Sequence, residues 1–371
     1  MRATKLQIIE RNREAMSRIA SLDNFTWVEQ EAVNPDDLLT NPNISLYCFD
    51  EERRWAVFVV LPDGVNLSKA PFVYHAQHEQ AQTLIVMPYM TLFWLAENIE
   101  LDSSNLTIIH NIGRCGSTLM CQALNAVESV YVLSEPDVFA SPIALRQTDY
   151  EHRQALLIAS FRFLFRPAVT GDATHYVIKL RNQCVDVLDI FAYRFPQANH
   201  LFMHRNATDW LASLYRLMSK NYDPSETITR KQAITRQAEY LNCDPNDIAE
   251  FFTMKRYTKM AYLAVSWLIM MVRFQEFCDA NPQFKPKLLS YEDLTANPRQ
   301  MLQQVFTQFD LLVDDVDVPL QVFQKDSQAG TRLARDDESS GNRVTLPQSE
   351  IETLQKLYTP YKDRIKINTM R

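Results

Sequence analysis

With 371 residues, 46% of them hydrophobic, the chain can bury one large core or two smaller ones. A formal net charge of −7 argues against a general binder of nucleic acid or anionic membranes, while leaving room for a local cationic pocket. Six cysteines with no C-x-x-C pair and no His/Cys ligand spacing argue against zinc motifs and a disulfide framework, and read as reduced thiols of an intracellular protein.

In chain order, residues 1–20 are charged, lack the apolar stretch of a secretory signal and read as an amphipathic helix, which points to a cytoplasmic protein. Residues 54–60 alternate as a strand, and residues 1–100 form an α+β region to which no chemistry attaches. From about residue 101, strands alternate with helical stretches, the pattern of a parallel sheet with helices on both faces. The first of these units runs Thr107-Ile108-Ile109-His110-Asn111-Ile112-Gly113-Arg114-Cys115-Gly116-Ser117-Thr118. Two of the chain's six glycines stand in it. A strand, glycine turn and helix start aim backbone N–H groups and the positive helix end at one spot, which makes an anion site. The loop is no Walker A motif, because Ser117 follows Gly116 where a lysine is required. It is no phosphatase loop either, since Cys121 occupies the arginine position six places after Cys115. Cys115, at a helix N-terminus beside Arg114, is expected to have a lowered pKa and raised reactivity.

Further strands also end on polar residues. Val130-Tyr131-Val132-Leu133-Ser134 delivers Glu135, with Asp137 two places on, and Tyr176-Val177-Ile178 delivers Lys179. His200-Leu201-Phe202-Met203-His204 ends on Arg205, where a Walker B strand would end on a carboxylate for Mg²⁺. The helix that follows carries Asp209 near its start and Ser213 eight residues after Arg205, so guanidinium and hydroxyl can converge on one phosphate. Residues 219–280 read as a long helical insertion, within which 261–272 is too short an apolar run for a membrane span and suits a buried helix. Residues 288–298 form a strand end, Tyr291-Glu292-Asp293-Leu294, leading into a late helix. The segment 325–335 is polar and basic.

Arg114-Cys115-Gly116-Ser117-Thr118 resembles the 5′-phosphosulfate loop of the sulfotransferases that use 3′-phosphoadenosine 5′-phosphosulfate (PAPS), with Cys115 in the usual serine place. Arg205 to Tyr215 resembles that family's 3′-phosphate motif, with Ala207 replacing its proline, and Tyr291 to Pro298 its late strand–helix landmark. In these motifs the chain is closest to the tyrosylprotein and carbohydrate branch. The resemblance implies a P-loop-type α/β core with a parallel sheet, covering residues 101–371 with the insertion at about 219–280 and preceded by the α+β extension 1–100. It implies that Gly113, Arg114, Cys115, Gly116, Ser117, Thr118, Arg205 and Ser213 hold PAPS and its product PAP. It further implies that Glu135 is the general base, with Asp137 and His204 as alternatives, and that Arg114 and Lys179 stabilise the charge of the transferring group. One or more of Ser327, Arg332 and Arg335 would close the nucleotide site. The expected function is in-line sulfuryl transfer to a hydroxyl-bearing acceptor, with no metal, nucleic acid or membrane partner. The rival expectations are a P-loop kinase or hydrolase needing Mg²⁺, and a catalytically inactive PAP-binding protein.

Overall fold

The computed structural model describes residues 2–13, 18–145, 149–169, 173–218, 222–311, 313, 315–324 and 345–367. The N-terminal part is an antiparallel sheet of five strands, Ala3–Arg11 (β1), Phe25–Val33 (β2), Ile44–Asp50 (β3), Trp55–Val60 (β4) and Thr83–Pro88 (β5), in the order β2-β1-β5-β4-β3. The first strand corrects the sequence reading, which expected a helix over residues 1–20. Thr4, Ile8 and Ile9 are β-branched, Ala3 and Leu6 are buried, and β1 has partners on both edges, β2 and β5. Those two ladders are tertiary and override the local helical pattern.

The second sheet is parallel. It comprises Leu106–Asn111 (β6), Val130–Ser134 (β7), His175–Lys179 (β8), Asn199–His204 (β9) and, after the two-stranded ribbon Thr227–Thr229 (β10) and Arg256–Thr258 (β11), Lys287–Ser290 (β12). Its order is β12-β9-β6-β8-β7, and every pairing is parallel. The strand order reverses around β6, whose neighbours are β9 on one side and β8 on the other. In open parallel sheets the cleft outside the strand C-termini at such a point is where ligands bind. The glycine loop leaves β6 there.

Side-chain alternation assigns the two faces of this sheet to two cores. Ile109, Val132 and Val177 pack with the long helix Lys259–Ala280, while Ile108, Leu133 and Ile178 pack with Ala56, Phe58 and Leu92 of the N-terminal part. Phe163, on the helix Tyr150–Val169, meets Phe58 edge-on at 5.2 Å, and the buried Arg166 donates to the carbonyls of Asn41 and Ile44. The N-terminal sheet and the parallel sheet therefore share a core.

The segment expected to be a long helical insertion is two helices, Arg230–Leu241 and Lys259–Ala280, whose starts are tied together by the β10–β11 ribbon. Thr229 and Thr258 end those strands and cap the helices that follow, so one residue type serves both elements. Residues 261–272 are helical, and all but Tyr262 and Leu263 are buried, as expected. Among the described residues no helix is long and apolar enough to cross a membrane.

Beneath the sheet, His110 and His200 stack at 12° with their ring nitrogens 3.0 Å apart. Burial lowers both pKa values, that of His200 to about 4 and that of His110 well below its usual range, where the neighbouring His200 adds to the effect. Burial brings His204 to about 4 as well. The unfolded chain takes up protons from about pH 6.5 downward and the native chain does not, so stability is full above that pH and is lost as pH falls toward 4. The urea midpoint is expected to drop between pH 7 and pH 5, before most carboxylates titrate. A flat midpoint would mean that these imidazoles protonate within the fold.

Candidate functional site

The loop after β6 is set by its own residues. Asn111 accepts the Gly113 N–H at 2.9 Å and donates to the Leu180 carbonyl at 2.6 Å, which holds the turn against β8. Gly113, Arg114 and Gly116 all have positive φ, at 72°, 52° and 80°. Past this turn the first N–H groups of the helix Ser117–Asn125 lack partners within the helix, as at any helix start. Gly116 is required twice over, since a Cβ there would lie 2.9 Å from the Tyr291 ring. Ser117 and Thr118 are buried in the first turn of the helix Ser117–Asn125. The Trp210 indole donates to the Gly113 carbonyl at 2.9 Å, fastening the loop from the helix Ala207–Met218. The expectation of a reactive Cys115 is corrected. Its side chain is fully buried, and desolvation pushes the thiol up despite the helix N-terminus and the nearby Lys179.

On the β9 side of the loop the cations gather. Arg205, just past the end of β9, donates to the Arg114 carbonyl at 3.2 Å and lies 4.1 Å from the Tyr291 ring centre. Arg114 Nε donates to Ser213 Oγ at 3.1 Å. Burial lowers the pKa of both arginines, and in Arg114 the Arg205 and Arg216 charges lower it further. The sequence reading missed Arg216, whose spacing of three from Ser213 puts it on the same helical face. Asn206 caps this helix by accepting the Asp209 N–H at 2.8 Å, and its amide donates to Glu292 at 2.6 Å. The cap and the Glu292 contact hold the turn without a proline at Ala207.

On the β7–β8 side the acid and the lysine meet. Lys179 is almost fully buried, 2.6 Å from a Glu135 carboxylate oxygen, and donates to Thr118 Oγ1 at 2.9 Å. Burial, the largest single influence, works against its ammonium, but the Glu135 charge and hydrogen bond and the nearby Cys121 and Cys115 together outweigh it, so its pKa stays above the ordinary lysine value. Glu135 has φ 57°, an uncommon conformation for a side chain of its size, and its N–H donates to the Lys179 carbonyl at 2.8 Å. The Phe72 ring of the N-terminal part lies 5.3 Å from the Lys179 ammonium. Lys179 is thus joined to the loop through Thr118, whereas Arg114 turns toward Ser213 and Arg205.

The two alternative bases have different surroundings. Asp137 is fully buried and ion-paired with Arg13 at 2.6 Å and Arg181 at 2.9 Å. His204 is buried at the end of β9, stacks on Phe202, and lines a cavity of about 340 Å³ with Glu292 and Asp293. Strand β6 separates β9 from the strands that carry Glu135 and Lys179. Ser327, Arg332 and Arg335 lie outside the described residues. A larger cavity, about 740 Å³, is lined by Pro71 of the N-terminal part, by Thr118 and Gln122, and by Ser134. The sequence reading attached no chemistry to residues 1–100, and the structure puts Phe72 and Pro71 of that part beside the site. No local signal in their own segment could have found them.

The fold and site together define a parallel α/β sheet with a glycine-bounded loop at its switch point, flanked by a cationic group on one side and a Lys–Glu pair on the other. The chain matches no family model and no curated protein. Among solved structures it is similar to a sulfotransferase of Mycobacterium avium, 12% identical over 76% of this chain and 82% of that one, with a TM-score of 0.42. A sulfotransferase of Alicyclobacillus acidocaldarius is 15% identical over 71% of this chain and 94% of its own, at 0.40. A mouse sulfotransferase solved with PAP is 10% identical over 76% and 92%, at 0.37. At these values the functional assignment rests on the chain's own residues.

Proposed function

We propose that this protein is a PAPS-dependent sulfotransferase acting on a hydroxyl acceptor. The observation that carries the reading is the division of labour around one loop, with Arg114, Arg205 and Ser213 on one side and Thr118, Lys179 and Glu135 on the other. The residues fit a doubly phosphorylated nucleotide. Arg205 Nε is buried with no hydrogen-bond partner among the described residues, beside a second arginine whose charge it opposes. A phosphate at that spot relieves both conditions, and a divalent cation would worsen them.

PAPS, when bound, supplies the activated sulfuryl group. Arg205 and Ser213 hold the 3′-phosphate, and the loop N–H groups with Thr118 hold the 5′ end. Glu135 takes the proton of the acceptor hydroxyl as its oxygen attacks. Lys179, fixed between Glu135 and Thr118, faces the charge that develops on the leaving phosphate oxygen, and being already oriented it needs no reorganisation. The cavity beside Thr118 and Ser134 is the natural place to seek the acceptor.

Calorimetry tests the donor. PAP is expected to bind at least about tenfold more tightly than ADP, because ADP lacks the phosphate that Arg205 and Ser213 would hold, and to do so without Mg²⁺. Equal affinity for ADP, or a requirement for Mg²⁺, would favour a kinase or hydrolase.

A further inference from the structure

The ends of β7 and β8 carry two ion pairs side by side. Glu135 meets Lys179, and two residues beyond each of these Asp137 meets Arg181. The second pair belongs to a cluster reaching into the N-terminal part. Arg13 donates to Asp137 at 2.6 Å and to the Arg18 carbonyl at 2.7 Å, and Arg181 donates to the same carbonyl at 3.3 Å. The Ala20 N–H also donates to Asp137, at 2.9 Å. The Tyr74 ring lies 5.0 Å from the Arg13 guanidinium and 4.2 Å from that of Arg181. Arg13, Asp137 and Arg181 are all nearly or fully buried.

Resting on the sulfotransferase reading, we infer that Arg13, Asp137, Arg181 and Tyr74 form a positioning cluster through which the N-terminal sheet holds the base and its lysine in place. Three observations support it. Glu135 is in the left-handed region, and such a conformation persists only where its surroundings over-determine it. Lys179 constrains Glu135 on one side, and the anchored Asp137 constrains the backbone two residues on. A buried ion-pair cluster is weak evidence for stability, since apolar residues of the same volume often serve as well. A fixed register at the strand ends is something apolar contacts supply less well. Finally, Phe72 and Tyr74 come from one short segment, so the part of the N-terminal unit that covers Lys179 is also the part that touches Arg181. The N-terminal unit is on this view a component of the active site.

The test uses the full chain, PAP binding, and release of PAP and sulfate from PAPS with water as acceptor. In that step the water oxygen bonds to sulfur, its proton passes to Glu135, and the bond between sulfur and the 5′-phosphate oxygen breaks with its pair kept by PAP. Arg13→Gln is expected to slow release about tenfold or more with PAP affinity unchanged, and Arg13→Lys to restore most of the rate. Tyr74→Leu, which unburies no charge, gives the same split if Arg13→Gln does not fold. Wild-type release from both Arg13→Gln and Tyr74→Leu would overturn the cluster's role, as would a loss of PAP affinity and melting temperature in step with rate, or PAP binding by the unaltered protein with no release at all. Failure of the unaltered protein to bind PAP would instead overturn the nucleotide reading beneath it.

Discussion

Arg205→Ala is expected to weaken PAP binding by about 2–3 kcal/mol, roughly 30- to 150-fold. The guanidinium is held in a defined pose by the Arg114 carbonyl and the Tyr291 ring, so a phosphate meets an oriented, partly desolvated fork. The same substitution removes a cation that opposes Arg114, so the empty protein should not lose much stability. Arg205→Lys keeps a charge but loses the planar fork, and should fall between. Calorimetry with PAP for the three proteins reads this directly. Unchanged affinity in Arg205→Ala would remove residue 205 from the site and with it the case for a 3′-phosphate.

Glu135→Gln is expected to lower turnover of PAPS by roughly 10²-fold or more while PAP affinity changes little. Glutamine has the same shape and still offers Lys179 an oxygen, but it cannot take the acceptor proton. The substitution also withdraws one of the charges that offset the burial of the Lys179 ammonium. Lys179→Met, which removes the cation and leaves the carboxylate, separates the two contributions. A Glu135→Gln protein with normal turnover would reassign the base. Asp137 would then be a poor replacement, since two guanidiniums and the Ala20 N–H already occupy its oxygens.

The polar residues at the strand ends were legible because each is local. An apolar run that stops on Glu135, Lys179 or Arg205 announces a strand delivering one polar side chain to a common edge. The eight-residue step from Arg205 to Ser213 stays within one strand–helix turn. The glycine loop was legible for a related reason, since Gly113 and Gly116 are needed where φ is positive, a property of the chain itself. Two local inferences failed where surroundings outweigh the segment. The helix start beside Cys115 argued for a low thiol pKa, and complete burial reversed it. Residues 1–20 argued for a helix, and two flanking strands made β1.

The sequence by itself determined the alternation of strands and helices after residue 101, the glycine turn before the helix Ser117–Asn125, and the residue types at the ends of β6 to β9, because these follow from periodicity and backbone preference over a few residues. Only the tertiary structure decided that Arg114 turns to Ser213, that Tyr291 closes over Gly116, and that Arg13 reaches Asp137 across 124 positions. Those contacts join segments far apart in the chain. Their partners are chosen by the strand order around β6 and by the shared core that presses the N-terminal sheet against the site, and neither leaves a trace in any one stretch of residues.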